Sequence, residues 1–339
     1  MISCLRFAGY FALATVVSTA VPAWAQQPEI RISRTTTMAY LPLMVAEHEK
    51  LIEKHAATLG IPNLKVTWAL FTGPAAQIDA LFSGNVDVVA VGSTALVTLW
   101  ARTKGTTLEV KGVSAMSSMP IALNTRNPDV KSIRDLSDKD RIALPSVGVS
   151  HQALLLQMAA AKEWGFDNHK KLDYLTVGLG QMDAVVAMMS PGHEVTTDFP
   201  TPPFLYIERE QPGIRTILTM KEILNGEKGT IGTAVASSKF RTANPVIYKA
   251  LMEAIKEAMD IIAKDKERAV DGYIGATGDK KTARRLLLTA ASDPDADFTM
   301  TPRSMKTFAD FMFKSGRIKR NPENWQEMFY DEVKDLPGS

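Results

Sequence analysis

The stretch that decides the fold is residues 71–96, which read FTGPAAQIDALFSGNVDVVAVGSTAL. Pro74 stands in the first turn of a predicted helix, where its missing N–H costs nothing, and Gly84 ends that helix with a turn. Residues 86–91 are almost wholly apolar, as is typical of a parallel strand buried on both faces. Ser93 is a suitable N-cap for a second helix. The stretch therefore predicts helix, strand and helix in succession.

Two loops of this stretch, at Gly73 and at Ser93-Thr94, place helix N-termini at the carboxyl ends of neighbouring strands. In an open α/β sheet, small ligands bind at this edge. The unpaired N–H groups and the helix dipole attract anions and polar oxygens there. The stretch therefore also predicts a small-molecule site.

The same alternation of short apolar strands and amphipathic helices continues on both sides, which predicts a mostly parallel sheet. Before residue 117 this alternation predicts strands at 30–34, 64–71 and 108–114 and a helix at 40–57. Beyond it, the pattern starts again with strands at 121–124, 141–145, 172–177 and 194–199 and helices at 151–164, capped by Ser150, and 181–189. Strands at 214–220 and 232–237 follow, and then mainly helices, including 245–264 and 302–315, the latter capped by Thr301.

The first 25 residues are typical of a signal peptide. Residues 7–21 are apolar, and Ala23-Trp24-Ala25 is an A-x-A cleavage site. The alternative, a membrane anchor, needs a longer apolar run. We therefore expect an exported, periplasmic protein cleaved near Ala25. Cys4 is the only cysteine, so the mature chain is expected to have neither disulfides nor a nucleophilic thiol.

Composition and missing motifs exclude several functions. With 39 basic and 37 acidic residues, the chain lacks the basic excess of a nucleic-acid-binding protein. His48 and His55 share a helix face, but seven residues place them roughly 10 Å apart, too far for one metal ion. There is no G-x-G-x-x-G or G-x-S-x-G motif. We expect no metal, no cofactor and no catalytic residues.

Three blocks of sequence resemble one known family. They are YLPLMVAE (40–47) followed by LIEK (51–54), residues 71–96, and KSIRDL (131–136) followed by RIALP (141–145). Together they resemble the nitrate/sulfonate/taurine type of solute-binding protein of bacterial ABC importers, whose fold is shared with thiamine-precursor-binding proteins. The resemblance covers about residues 30–220. It departs after Glu194, where relatives often carry an acidic and aromatic motif and this chain reads VTTDFPTPPF (195–204).

The resemblance implies an α/β, two-lobed periplasmic binding protein fold of type II. Each lobe has a mostly parallel sheet flanked by helices, and the ligand cleft lies between the lobes, which close by a hinge motion. Lobe one is expected at 27–117 plus 214–339, and lobe two at 118–213. The function implied is delivery of a small polar or anionic organic solute to a membrane permease with its ATPase. The protein is expected to act as a monomer and not as an enzyme.

Candidate ligand contacts follow from the loops and helix starts that this fold turns toward the cleft. Their alternative roles are helix capping, ordinary loop polarity and core packing, and His151 has the alternative of a structural hydrogen bond. The polar and backbone candidates are Thr36, Thr37, Gly73, Gln77, Ser93, Thr94, Ser118, Ser150, His151 and Gln152. The apolar candidates are Met38, Tyr40, Met182 and Phe204.

Two other functions stay open on sequence grounds. Enzymes on the same fold include pyrimidine-precursor synthases and a desulfinase, but both depend on cysteines that the mature chain lacks. A periplasmic sensor that passes ligand occupancy to a membrane kinase has the same sequence features as an importer subunit. Relatives bind nitrate, sulfonates, pyrimidines or aromatic carboxylates, and the only basic residues near the expected cleft are Arg34 and Arg126.

Overall fold

The computed structural model describes residues 27–71 and 73–339. The predicted signal peptide and its cleavage site near Ala25 therefore lie outside the described residues. Within the described part of the chain, no helix combines the length and apolarity that a membrane span requires.

The apolar runs form ten strands in the described residues, arranged in two five-stranded sheets. The first sheet contains β1 (Glu29–Arg34), β2 (Lys65–Leu70), β3 (Val88–Gly92), β4 (Val110–Ser117) and β10 (Gly232–Ser237), in the order β2-β1-β3-β10-β4. The second contains β5 (Ala122–Thr125), β6 (Ile142–Leu144), β7 (Thr176–Gly178), β8 (Thr197–Asp198) and β9 (Arg215–Thr219), in the order β7-β6-β8-β5-β9. We call each sheet, with the helices packed on it, the first and the second lobe.

Both sheets are mostly parallel, as predicted, with one antiparallel strand each. In the first sheet β10 runs antiparallel to β3 and β4, and in the second β5 runs antiparallel to β8 and β9. These two strands are the first that the chain forms after it passes from one sheet to the other. The two lobes therefore have the same architecture, with the exceptional strand at the point of crossing.

The predicted lobe boundary between residues 213 and 214 separates β9 from its pairing partners. It assigned the strand at 214–220 to lobe one, whereas β9 pairs with β5 in the second sheet, with Thr219 opposite Ala122. A short apolar strand does not specify its neighbour, so its pairing depends on the tertiary structure.

Thirteen α-helices lie in the described ranges and flank the sheets. They are α1 (Leu41–His48), α2 (Leu51–Thr58), α3 (Pro74–Phe82), α4 (Ser93–Thr103), α5 (His151–Trp164), α6 (Gln181–Met189), α7 (Phe204–Arg209), α8 (Met220–Ile223), α9 (Ser238–Ala243), α10 (Pro245–Lys264), α11 (Lys266–Thr277), α12 (Arg284–Ser292) and α13 (Met305–Lys314). Helices α12 and α13 contact elements of both lobes, since α12 packs on α11 and α7, and α13 packs on α4 and α5.

Several predicted elements differ from those in the structure. The single helix at 40–57 is divided by Lys50, whose φ of 53° interrupts it between α1 and α2. The last long helix begins after Ser304 rather than after Thr301. The strand at 194–199 shrinks to the two residues of β8, and the unpredicted α7 follows it. These changes occur where backbone conformation, rather than hydrophobic period, decides the boundary.

The core of the first lobe explains the position of the cleft. All four valine and alanine residues of β3 from Val88 to Val91 are inaccessible to solvent, as are Ile30 and Ile32 of β1. Helices therefore cover both faces of this sheet. The carboxyl ends of β1 and β3 remain uncovered by these helices and lead into the loops that face the second lobe.

Candidate functional site

A cavity of about 370 Å³ lies between the two lobes. The starts of α3 and α4 reach it from the first lobe, and those of α5 and α6 reach it from the second. The first turn of a helix has backbone N–H groups without partners inside the helix. Four helices therefore direct positive potential into one cavity.

The N-caps of three of these helices are glycines: Gly73 for α3, Gly92 for α4 and Gly180 for α6. A glycine cap has no side chain to occupy the N–H groups of the first turn, although in α4 the Ser93 N–H donates to the Ile231 carbonyl at 3.1 Å. It costs only a few tenths of a kcal/mol relative to serine. Only α5 has a side-chain cap, because the Ser150 hydroxyl accepts a hydrogen bond from the Ala153 N–H at 3.2 Å.

Ser93 does not have the predicted capping role. It is the first residue of α4, and its hydroxyl lies 3.0 Å from Nδ1 of His151, the first residue of α5. The two side chains belong to different lobes and are both buried. The structural role that sequence reasoning kept open for His151 is therefore present, and its partner comes from the opposite lobe.

His151 is neutral in this environment. Its side chain lies edge-on to Phe308, with ring centroids 4.9 Å apart, and the residue is 5% exposed. Burial lowers the pKa of His151 from the usual 6.5 to about 3. Nε2 has no hydrogen-bond partner among the described residues. The imidazole can therefore offer a neutral donor or acceptor at this atom.

Gln77 joins the cavity wall to the first sheet. Its Oε1 accepts a hydrogen bond from the Ser33 hydroxyl at 2.5 Å, and the Ser33 oxygen in turn accepts one from the Ala90 N–H at 2.8 Å. This buried chain links α3, β1 and β3 just below the cavity. It holds Gln77 in place and leaves its amide nitrogen for other contacts.

Gln181 and Thr201 line the cavity but were not among the sequence candidates. Oε1 of Gln181 accepts hydrogen bonds from the Thr201 N–H at 2.9 Å and the Thr201 hydroxyl at 3.0 Å. The available signal was the position of Gln181 at the first turn of a helix after a strand, the rule that selected Ser93 and His151. Thr201 carried no comparable signal, because it reaches the site through an irregular loop.

The described lining contains one charged side chain, that of Asp183, and no lysine or arginine. Arg34 lies outside it and pairs with Glu47 at 2.6 Å. Arg126 also lies outside it and donates to backbone carbonyls, including that of Ser190 at 2.7 Å. Any negative charge on a ligand would therefore be held by N–H groups and hydroxyls. No group of three His, Cys, Asp or Glu side chains suited to a metal occurs among residues 27–71 and 73–339.

The cavity brings together most of the candidates from both lobes. Those lining it are Thr36, Thr37, Tyr40, Gly73, Gln77, Thr94, Ser150, His151, Gln152 and Met182. Burial raises the pKa of the Tyr40 phenol above its usual value, so this side chain is a neutral part of the wall.

Four candidates do not line the cavity. Met38 is inaccessible in the core, and only its backbone N–H reaches the second lobe, donating to the Pro202 carbonyl at 3.0 Å. Phe204 is buried at the start of α7. Ser118 is buried at the crossing between the lobes, where its N–H donates to the Asp297 carbonyl at 2.8 Å. Ser93 lies behind the lining and contacts it through His151. Sequence position alone did not distinguish these buried sites from the cavity wall.

Comparison with known proteins gives both a family and a fold. The sequence profile of the NMT1-like family matches residues 24–271. No curated protein gives a sequence match. The alkanesulfonate-binding protein of Xanthomonas axonopodis pv. citri, solved with MOPS bound, is 16% identical with a TM-score of 0.67, and the alignment covers 86% of this chain and 94% of that one.

Two further solved structures are similar. The periplasmic aliphatic sulphonate binding protein of Escherichia coli is 16% identical with a TM-score of 0.65, covering 89% of this chain and 92% of that one. The periplasmic nitrate-binding protein of Synechocystis PCC 6803 is 14% identical with a TM-score of 0.66, covering 89% and 84%. At such identities the likeness shows the fold, which is that of a two-lobed periplasmic binding protein.

Proposed function

This chain belongs to the NMT1-like family, and from this membership and its fold we propose that it is the periplasmic substrate-binding component of an ABC importer. It binds a small polar or anionic organic solute between its lobes. It delivers that solute to a membrane permease, which works with an ATPase. It acts as a monomer and performs no covalent chemistry.

The observation that carries this proposal is the cavity between the lobes, to which each lobe contributes two helix starts. A ligand that contacts both lobes stabilises their closed arrangement, and this differential contact drives hinge closure. The lobes implied by the sheet pairing and the helices packed on each sheet are residues 27–117 with 224–339, and residues 118–223. The permease would then distinguish the closed, loaded protein from the open one.

The cavity favours a ligand with a polar head and a modest apolar part. Helix N-termini and the neutral His151 hold the head, since the described lining supplies no cation. Gln152 and Thr37 offer further hydrogen bonds, and Met182 provides apolar contact. A single negative charge spread over several oxygens suits this arrangement. The named neighbours bind a sulfonate or nitrate, and we extend that class, including taurine-like solutes, to this chain.

The absence of a thiol argues against the enzymes on this fold. Cys4 is the only cysteine and precedes the predicted cleavage site. A nucleophile of that kind is therefore missing from the mature chain. The structural neighbours named above are likewise binding proteins.

Native mass spectrometry of protein extracted from the periplasm tests the proposal. We expect a bound small molecule that is released when the protein is denatured. Calorimetric titration of the emptied protein with that molecule should show saturable binding. Recovery of empty protein that also fails to bind nitrate, taurine or an alkanesulfonate would contradict the proposal.

Gln152→Ala tests the position of the site. Gln152→Ala should weaken ligand binding roughly 10- to 150-fold, because the loss of a hydrogen bond to a charged group typically costs about 1.5–3 kcal/mol of binding free energy. The matched control is Gln211→Ala, which changes the same residue type on the second lobe, where Gln211 donates to the Ile207 carbonyl. The control should bind with wild-type affinity. Equal affinity of both variants would place the ligand elsewhere.

A further inference from the structure

Ser93 and His151 form a buried contact between the lobes. Their hydrogen bond measures 3.0 Å, and the two residues are 0% and 5% exposed. Each begins a helix, α4 in the first lobe and α5 in the second. Because the two helices belong to different lobes, a hinge motion that separates them would break this bond.

We propose that the Ser93–His151 hydrogen bond is a latch that holds the lobes closed, and that protonation of His151 releases it. The latch regulates the site described above, and its effect on solute retention rests on the proposed function. The lobe movement itself does not depend on which solute is bound.

The surroundings of His151 accept a neutral ring but not a charged one. A protonated imidazole donates at both nitrogens. Ser93 can accept from Nδ1, but Nε2 finds no partner among the described residues, and one edge of the ring packs against Phe308. A buried charge without a partner is strongly unfavourable. Protonation of His151 is therefore unfavourable while its ring stays buried between the lobes.

Among the residues that the structure describes, no neighbouring charge offsets this cost. The elements packed on α5 are the turn Phe166–Asn168, α8, α4 and α13. Burial is the only cause of the low pKa of His151. The titratable side chains around His151 do not contribute to this low pKa. Those on the packed elements and on α5 itself are Asp167, Lys221, Glu222, Arg102, Lys306, Asp310, Lys314, Lys162 and Glu163. The one beside the turn is His169, and those in the cavity are Tyr40 and Asp183.

The direction of the pH effect follows from the two states. Burial in the closed state keeps the pKa of His151 at about 3, and full exposure of the ring on opening would return it to the ordinary value of about 6.5. Between these values the open state binds a proton and the closed state does not. Acidification therefore favours opening. From pH 7.5 to pH 5.0, the ratio of open to closed protein should rise by about 30-fold.

Distance measurement between spin labels on the ligand-free protein tests the latch. The processed chain has no cysteine of its own, so Asp79→Cys on α3 and Val186→Cys on α6 can carry one label in each lobe. Both positions are exposed. We expect a population with the short, closed distance at pH 7.5 and a smaller one at pH 5.0. Circular dichroism at both pH values checks that the fold is retained.

Three variants separate the latch from general acid effects. His151→Gln cannot become charged, and its open-to-closed ratio should change less than about twofold between the two pH values. Ser93→Ala should favour the open form roughly 2- to 12-fold at pH 7.5 by removing one hydrogen bond. His193→Gln, an exposed histidine of the second lobe, is the control and should respond to pH as the wild type does.

The latch is overturned by any of three results. They are no closed population at pH 7.5, no change in the wild type at pH 5.0, or an unchanged pH response in His151→Gln. Because the measurement uses no ligand, these results are independent of whether a solute is found. A working latch in a protein that binds no solute would contradict the proposed function and leave the latch intact.

Discussion

Asp198 and Glu208 form a buried carboxyl pair in the second lobe, with their side chains within hydrogen-bonding reach of each other. The Phe199 N–H donates to Asp198 Oδ1 at 2.7 Å, and the Asn124 amide donates to Glu208 Oε2 at 2.9 Å. The other oxygen of each carboxyl has no further partner among the described residues. Burial raises the pKa of both groups, so the folded pair holds a proton to higher pH than the unfolded chain does, and the two carboxyls are placed to share it.

Replacement of Asp198 by asparagine should remove a pH dependence of stability. A raised folded-state pKa means that the folded protein keeps a proton that the unfolded chain releases. The stability that the pair contributes is complete below the pKa of the carboxyls in the unfolded chain. It is lost as the pH rises through their pKa in the folded protein. One such proton lowers the unfolding free energy by up to about 1.4 kcal/mol per pH unit.

Urea unfolding at pH 5.5 and 8.5 measures this effect. The wild type should lose more stability toward pH 8.5 than Asp198→Asn does. Asp129→Asn, at an exposed carboxyl, should follow the wild type. Parallel pH profiles for Asp198→Asn and the wild type would show that the pair carries no shared proton.

Gly232 of β10 lies against the backbone that leads into the cavity. A Cβ at this residue would stand 2.3 Å from the Ala39 carbonyl oxygen. Gly232→Ala should therefore destabilise the protein by about 1–3 kcal/mol, the usual cost of overpacking. Chemical denaturation of the variant and the wild type measures this loss of stability.

Gly73→Ala is the matched control for that change. A Cβ there meets no described atom within 4 Å, and its φ of −169° is extended backbone that any residue adopts. Its stability should fall by no more than about 1 kcal/mol, because alanine is a poorer N-cap than glycine but meets no steric clash. If the two variants are equally stable, the close approach of β10 to Ala39 does not constrain the fold.

At the scale of elements, the division between α1 and α2 rests on one residue. Lys50 has a φ of 53°, a left-handed conformation that costs a side-chain-bearing residue about 1–2 kcal/mol. The hydrophobic period continues across it, which is why the sequence predicted one helix over 40–57. The interruption lets α2 pack on α10 while α1 packs on both α10 and α11.

Lys50→Gly should therefore stabilise the protein by up to about 1 kcal/mol, because glycine adopts this conformation without strain. Ala57→Gly, in the exposed face of α2, should instead destabilise it by about 1 kcal/mol. Thermal and urea unfolding measure whether each of the two variants gains or loses stability relative to the wild type. A loss of stability in both would mean that Lys50 makes contacts worth more than its strain.

At the scale of the whole molecule, the two lobes meet at more places than the cavity. Arg317, after α13, donates to Gln157 of α5 at 2.8 Å, and Arg285 of α12 pairs with Glu210 after α7. These contacts come from the C-terminal part of the chain, which therefore helps set how the lobes approach each other. They surround the latch without replacing it, since neither lies in the cavity lining.

Export is the prediction that concerns the chain as a whole. The apolar run at 7–21 and the A-x-A site predict that protein recovered from the periplasm begins at Gln26. Mass measurement of the intact protein checks this. The control is a chain with Ala23 and Ala25 both changed to Leu, which removes the small residues of the cleavage site and should keep its leader. An unprocessed mass for the wild type, or its recovery from the cytosol alone, contradicts the expectation.

Most of the architecture could be predicted from local pattern. Apolar runs and helical periodicity located nearly every strand and long helix, because both signals are properties of neighbouring residues. The α6 bounds, 181–189, were predicted without error, and Ser150 has its predicted capping role. The candidate site was predictable to the extent that helix starts follow strands, a rule that selected Gly73, Thr94 and His151.

The sequence by itself thus determined which segments are strands and helices, and that helix starts with free N–H groups lie at the carboxyl edges of parallel sheets. Only the tertiary structure decided that β9 joins the second sheet, that Met38 and Phe204 are buried, and that the Ser93 hydroxyl crosses to His151. The physical reason is the distance along the chain over which each kind of interaction acts. Helix and strand propensities act over a few residues, whereas strand partners, burial and a hydrogen bond between residues 58 positions apart depend on how distant segments pack.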